Sequence, residues 1–519
     1  MLKLSLLMNT ARNAVIELSD GGIYQTTKEY DIWINDIFYK KTDKIVTSLY
    51  DLKPETEYVV TIKSENQVED TIIFKTDYEF VTLNVKDFGA KGDGVHDDTH
   101  FIQAAIMACP KDSRVLIPAG VYKITNLFLK SDLKLEIQKG ALLKASTERS
   151  EFAILPGFIE SYDEKDEYNL GSWEGNPLDT FASIITGINV DNVVIYGEGT
   201  VDGSASDYNW WHNIRQKVGA WRPRMFFINH CNNVILQGIT IQNSPCWTIH
   251  PYFSNNLGFY GLTVKNPKIS PNTDGLDPES CKNVDIIGVH FSLGDDCIAI
   301  KSGKVYMGRK HKTPCENITI RQCYMQDGHG AVTVGSEIGG GVNNIFVKDC
   351  CFKDTDRGLR VKTRRGRGED SVLDNITFDN IRMEGVLTPL VVNSFYFCDP
   401  DGKISYVQTR DPLPIDERTP YVKNLTFKNI HCTDAHVAAA YFLGLPERKI
   451  ESITMENVYI SYTDNPTPEY PAMTCGIDPC TKKGFYALNV DKISMKNVVI
   501  EGCDGEAFEF SGVDVIEEV

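Results

Sequence analysis

From its first residues the chain alternates apolar and polar positions in short runs. AVIEL, YDIWIND, EYVVTIKS and TIIFKT, divided by turn-forming residues, fall within residues 1 to 78 and predict the strands of a small β-sandwich. After KTDYEF the texture changes. VKDFGAKGDGVHDDTHFIQAAIMAC reads as a strand, a glycine-rich turn and a helix that opens at Asp97, Asp98 and Thr99, all good N-cap types, and VLIPAGVYKI then returns to strand. From about residue 180 a loose repeat takes over, with NNVILQGITIQNSP, NNLGFYGLTVKNPK, KNVDIIGVHFSLGDD and ENITIRQCYMQDGHG among its copies. Its anchors Asn233, Asn256, Asn283, Asn317, Asn344 and Asn375 recur every 23 to 34 residues. That period predicts the coils of a parallel β-helix over residues 79 to 519, each coil stacking on the next at about 4.8 Å. The asparagines are expected to form a ladder or turns at one corner.

Composition narrows the picture. With 519 residues, 42% of them hydrophobic, and no apolar run near twenty residues, the chain can bury a large core and is not expected to span a membrane. The N-terminus has one early lysine and a short apolar cluster broken by Asn9 and Arg12, which is not a secretion signal; a cytoplasmic location is expected, or a secreted one had a signal been removed. The 14 cysteines include no CxxC pair and often sit within strand-like runs, so reduced buried thiols are expected rather than disulfides or a zinc site. A net charge of −18 argues against nucleic acid or an anionic membrane as partner. Any anionic ligand needs a local basic patch.

Four segments place polar residues where a coil should alternate: SPNTDGLDP at Asp274, LGDDC at Asp295 and Asp296, DGHGAVTVG at His329, and GLRVKTRRGRG at Arg360 and Lys362. They lie about 21, 33 and 31 residues apart, which puts them on successive rungs of one face. Strand parity sends Asp296 inward with Ile298 and Ile300, unless the backbone at Gly294 to Asp296 leaves strand geometry. It sets Arg360 and Lys362 opposite Leu359 and Val361, and His329, Ala331 and Thr333 outward, with Gly328 and Gly330 leaving room for a bulky ligand. Two carboxyl groups across a glycosidic bond are what hydrolysis requires, one protonated and one ionised, and crowding of carboxylates drives their pKa values apart. A metal site or a solvated turn are the other readings of the Asp295–Asp296 pair. Five of the eight residues from Arg360 to Arg367 are basic, which suits a carboxylate-bearing substrate or, alternatively, a solvated loop.

Together, Asn272-Thr273-Asp274, Gly294-Asp295-Asp296, Gly328-His329-Gly330 and Arg360-Val361-Lys362 resemble, in order, the pattern of glycoside hydrolase family 28, the polygalacturonase family. KDFGAKGDGVHDDT resembles the N-terminal cap of its right-handed β-helices. LKPETEY, Leu52 to Tyr58, is similar to the tyrosine corner of fibronectin type III domains, which would have Tyr58 hydrogen-bonded to upstream backbone. The family resemblance implies inverting hydrolysis of α-1,4 bonds between galacturonate units in pectic oligo- or polysaccharides. Asp295 would be the general acid, Asp274 and Asp296 would hold the attacking water, and His329 would support the acid. Arg360 and Lys362 would bind a galacturonate carboxylate, with no metal and no cofactor. Tyr396 resembles a tyrosine beside the sugar and His250 a position of exo-acting members; a packed core or rim role is the alternative for each. GSEIGGG, SWEG and the N-terminal sandwich resemble the bacterial exo-acting branch, in which added loops close one end of the groove. A rhamnogalacturonan-type hydrolase, a calcium-dependent pectate lyase-like β-helix acting by β-elimination, and a noncatalytic carbohydrate-binding β-helix are the rival readings.

Overall fold

A computed structural model describes residues 2–160 and 167–518. Seven antiparallel strands come first: β1 (Lys3–Asn9), β2 (Ala14–Ser19), β3 (Gln25–Ile34), β4 (Ile37–Lys44), β5 (Val46–Leu49), β6 (Glu57–Ser64) and β7 (Gln67–Lys75). They form two sheets, β1-β2-β5 and β4-β3-β6-β7, whose inward residues include Leu4, Ile16, Ile32, Val60 and Ile62. The alternation seen in the sequence is therefore the inside and outside of a sandwich. The Tyr58 hydroxyl accepts from the Lys53 amide at 2.7 Å, as a tyrosine corner requires.

From Thr82–Asn84 onward the strands of one large sheet pair in parallel and wind a right-handed β-helix, while the short pairs Ile154–Leu155 with Thr180–Phe181 and Ile159–Glu160 with Glu167–Tyr168 are antiparallel. Its core is built of columns that repeat from coil to coil. Val234, Leu257, Val284, Ile318, Ile345 and Ile376 stack in register on one sheet. On another sheet Ile298, Val332, Leu359 and Leu390 do the same. Helix α1 (Thr99–Ala108) covers the first coil with Ile102, Ala105 and Ile106. Asp98 sits at its N-cap position, but its carboxylate is occupied by the Lys91 and Gly92 amides of the preceding turn, and Asp97 accepts from the Thr99 amide instead.

The asparagine anchors form the expected ladder. The Asn283 amide donates to Asn256 (3.0 Å), Asn317 to Asn283 (3.2 Å), Asn344 to Asn317 (3.1 Å) and Asn375 to Asn344 (2.8 Å). Each sits in the left-handed region, with φ between 52° and 57°, which asparagine tolerates better than other residues with a Cβ. Lower down, Asn256 donates to Asn232, and Asn233 to Asn192.

The sandwich leans on the helix through polar contacts. Asn13 donates to Gln237 (2.7 Å), Gln237 to the Tyr50 hydroxyl (2.9 Å), and Tyr50 to the Gly197 carbonyl (3.1 Å), while Glu17 pairs with Arg321. All 14 cysteines are free thiols, and Cys231, Cys281, Cys297, Cys323, Cys350 and Cys432 fill core positions.

Candidate active site

The expected departure from strand geometry is present. Gly294 and Asp295 form a bend, and regular strand begins only at Ile298. This frees both aspartates from parity. Cys297 and Ile298 face the core consecutively, and Ala331 and Val332 repeat the irregularity one coil later, because the Cys297 and Ile298 amides bond to the Gly330 and Ala331 carbonyls. The expectation that His329, Ala331 and Thr333 share an outward face is thus corrected at Ala331, which is core. The space beside Gly330 is also not free for a ligand. A Cβ there would lie 2.3 Å from the Thr333 hydroxyl and 2.9 Å from Asp296 Oδ1, and at Gly328 the neighbours are the Asp295 carbonyl and the Cys297 sulfur. These glycines permit close packing beneath the aspartates.

Asp274, Asp295, Asp296, His329, Arg360, Lys362 and Tyr396 all line one cavity of about 280 Å³. Carboxyl oxygens of the three aspartates lie within 4.8 Å of one another. Asp296 is fully buried and doubly held, by Arg360 Nη1 at 3.0 Å and Lys362 Nζ at 2.7 Å. Leu359 and Val361 face the core opposite those two cations, as parity requires. The Lys362 ammonium stands 5.7 Å from the centre of the Tyr396 ring. His329 Nδ1 is 3.3 Å from Asp295 Oδ1.

His250 lies elsewhere. It is wholly enclosed, with Nε2 2.9 Å from Glu279 Oε2 and its ring edge-on to Trp247 at 5.1 Å, so it supports the floor and does not reach the cavity. The expectation of direct substrate contact by His250 is corrected on that ground. The basic run also divides. Only Arg360 and Lys362 reach the cavity; Arg365 forks onto Glu447 (2.7 and 2.8 Å), Arg367 pairs with Asp399 (2.6 Å) and Arg364 with Asp401 (2.8 Å), clamping the loops that follow.

Sequence reasoning passed over Lys301, at the end of the strand Ile298–Ile300. Its buried ammonium lies 3.8 Å from Asp274, 3.4 Å from Asp277 and 3.3 Å from Glu337, and 4.4 Å above the Trp247 ring. Alternation could have found it, since Ile298 and Ile300 face the core and put Lys301 on the outward parity, as with Lys362. Glu337 and Glu174, also on the cavity wall, stand within the GSEIGGG and SWEG segments.

The electrostatics separate the carboxyls. Burial, with repulsion from Asp277 and Asp295, pushes Asp274 well above the usual range. Burial likewise lifts Asp277 to about 7 against the pull of Lys301, and Glu279 to about 8. Burial would raise Asp296 too, but Lys362 and Arg360 outweigh it and hold it low. Asp295 is raised by burial, yet the hydrogen bond with His329 prevails and leaves it below its ordinary value; the same bond raises His329. Among the three aspartates burial and repulsion thus favour the protonated form at Asp274, while the His329 contact favours the ionised form of Asp295. The three carboxylates form a donor set that a hard cation could use. Lys301, Arg360 and Lys362 already bring three positive charges to that set.

A second, larger cavity of about 690 Å³ adjoins the first and shares His329, Arg360 and Met473 with it. It is bounded by Arg357, Lys403, Phe397, Tyr470 and Ile477. The site is thus a polar chamber adjoining, at His329, a wider groove whose walls carry apolar residues and charges of both signs, Asp356 and Glu469 among them.

Residues 110–475 match the family profile of glycosyl hydrolases family 28. An endo-polygalacturonase of Pectobacterium carotovorum subsp. carotovorum is 30% identical over 378 residues, covering 70% of this chain and 84% of that one. Among solved structures, a family 28 exopolygalacturonase of Yersinia enterocolitica superposes with a TM-score of 0.72 over 100% of this chain and 98% of its own, at 21% identity. A hyperthermoactive exopolygalacturonase of Thermotoga maritima, 26% identical, superposes with a TM-score of 0.63 over 74% of this chain and 88% of its own.

Proposed function

The chain belongs to glycosyl hydrolases family 28, and from that premise we propose that it hydrolyses α-1,4 bonds between galacturonate units of pectin-derived polymers or oligomers, attacking from a chain end and releasing galacturonic acid. The observation that carries the reading is the triad of aspartates within 4.8 Å beside two cations on one cavity wall. Arg360 and Lys362 offer a guanidinium fork and an ammonium to the carboxylate of a bound galacturonate.

Asp295, on the bend and only partly buried, is placed to protonate the departing oxygen. Asp296, locked by two ion pairs, and Asp274 hold and deprotonate the attacking water. Because the His329 contact favours the ionised form of Asp295, the acid role calls for a proton gained as substrate enters. A bound uronate carboxylate and the loss of water both favour its protonated form, and Asp274 is the neighbouring proton source. The carboxyl oxygens, within 4.8 Å of one another, are closer than the roughly 6.5–9.5 Å common among inverting enzymes, so the stereochemical reading rests on the four motifs.

Exo action is supported by likeness to the Thermotoga exopolygalacturonase and by the presence of Glu174 and Glu337, from the SWEG and GSEIGGG segments, on the cavity wall. The free thiols suit a reducing compartment, where short oligomers would be the substrate. Following the anomeric protons during hydrolysis tests the mechanism: the β-anomer of the released sugar should appear first, and activity should survive chelator. An initial α-anomer would overturn inversion; a product absorbing as an unsaturated uronate would overturn hydrolysis.

A further inference from the structure

The tip of the SWEG segment is a two-residue hairpin. The Trp173 amide donates to the Asn176 carbonyl (2.9 Å) and the Asn176 amide returns to Trp173 (3.1 Å), with Glu174 at φ 46° and Gly175 at φ 72°. A turn with two left-handed residues strongly favours asparagine, aspartate or glycine at its first position. Glutamate there gains nothing for the turn. The tip is rigid. Trp173 lies flat on Trp221 with ring centres 4.7 Å apart, Arg224 stands 5.4 Å from the Trp173 ring, and the Gly175 carbonyl accepts from the Lys304 amide at 2.9 Å. A Cβ on Gly175 would fall 2.7 Å from Glu337 Cγ, so the tip presses directly against the cavity wall.

Glu174 itself lines the chamber of the three aspartates and is accessible through it. Its carboxylate has neither a hydrogen bond nor an ion pair among the described residues. A strained, well-anchored turn thus presents an unused acceptor at the wall of the site.

We propose that Glu174 accepts a hydrogen bond from the free 4-hydroxyl of the terminal, non-reducing galacturonate, and so restricts the enzyme to saturated chain ends. This rests on the galacturonate hydrolase reading above. In an α-1,4 chain the O4 of every internal unit is bridging and carries no proton; only the end unit can donate from it. An acceptor-only carboxylate distinguishes the two. It also repels the carboxylate of any further unit that would extend past the tip. An end made by β-elimination has a C4–C5 double bond and no O4, and would leave Glu174 unpaired against the sugar. Chains cut by hydrolysis, rather than by a lyase, would then supply the substrate.

The test compares saturated and 4,5-unsaturated trigalacturonate with the full chain. Wild type should prefer the saturated trimer by about 10-fold or more in kcat/KM, the loss expected when a hydrogen bond to a charged group goes unmade. Glu174→Ala should lower the saturated rate and bring the ratio near one. Glu174→Gln, which retains an acceptor oxygen, should keep part of the preference. Equal rates in wild type, or an unchanged ratio in Glu174→Ala, would overturn the proposal. No cleavage of the saturated trimer by wild type would instead overturn the hydrolase reading, and this inference with it.

Discussion

Asp295 and Asp296 are neighbours in sequence with opposite surroundings, and the proposed mechanism depends on that difference. One is buried and fixed by Arg360 and Lys362; the other is partly open and shares a proton-sensitive contact with His329. Asp295→Asn should lower kcat by about 10²–10⁴-fold, the usual contribution of a general acid, with the thermal midpoint little changed. The loading of Asp295 by substrate has its own signature. The alkaline limb of kcat/KM reports the free enzyme and that of kcat the complex, so the limb should lie at higher pH in kcat; coincident limbs would contradict loading. Arg360 and Lys362 were legible because alternation with Leu359 and Val361 fixes their face. His250 was misplaced because enclosure by Trp247 and Glu279 leaves no local signal. Glu174 stands in an insertion without period, where only the three-dimensional contacts of the turn reveal its direction.

At the level of elements, the ladder of asparagines does what the repeat suggested, bridging each coil to the next while occupying a backbone region that costs most other residues about 1–2 kcal/mol. Asn317→Ala removes two ladder bonds and keeps the left-handed backbone. It should destabilise by about 1–3 kcal/mol in urea unfolding, and Asn317→Gly by less, because glycine removes the backbone strain but not the lost bonds. Neither should alter kcat. Equal losses would mean that the backbone conformation carries no weight. The coils were readable from period and apolar columns. The paired inward residues Cys297–Ile298 and Ala331–Val332 were not, since they arise from coil-to-coil hydrogen bonds that shift phase at a corner, and strict alternation has no way to express that.

Across the whole molecule, buried titratable groups set how stability follows pH. Asp277, raised to about 7, and Glu279, raised to about 8, hold protons in the folded state that the unfolded chain releases near pH 4. Folding therefore takes up protons between about pH 4 and 8, and this share of stability falls as pH rises through that range. His329, also raised, contributes fully below its unfolded value of about 6.5 and less as pH climbs through the folded one. Asp296 and Glu337, held low, act the other way, contributing above about pH 4 and losing it as pH falls. His230, His250, His290 and His311, each held below its ordinary value by burial, act the other way up to about pH 6.5. Urea midpoints should therefore fall between about pH 6.5 and 8, and Asp277→Asn should lessen that fall; midpoints rising over that interval would contradict the burial argument. The same scale decides the function. On the proposed reading, the cavity lined by Glu174 and Glu337 would receive the chain end, and the larger one that shares His329 with it would hold the remainder of the polymer. The most direct measurement is the time course of products from a defined galacturonate pentamer, separated by chromatography. Galacturonic acid and the tetramer should appear together at the earliest times, without dimer or trimer; an early mixture of dimer and trimer would contradict release of single units from the end.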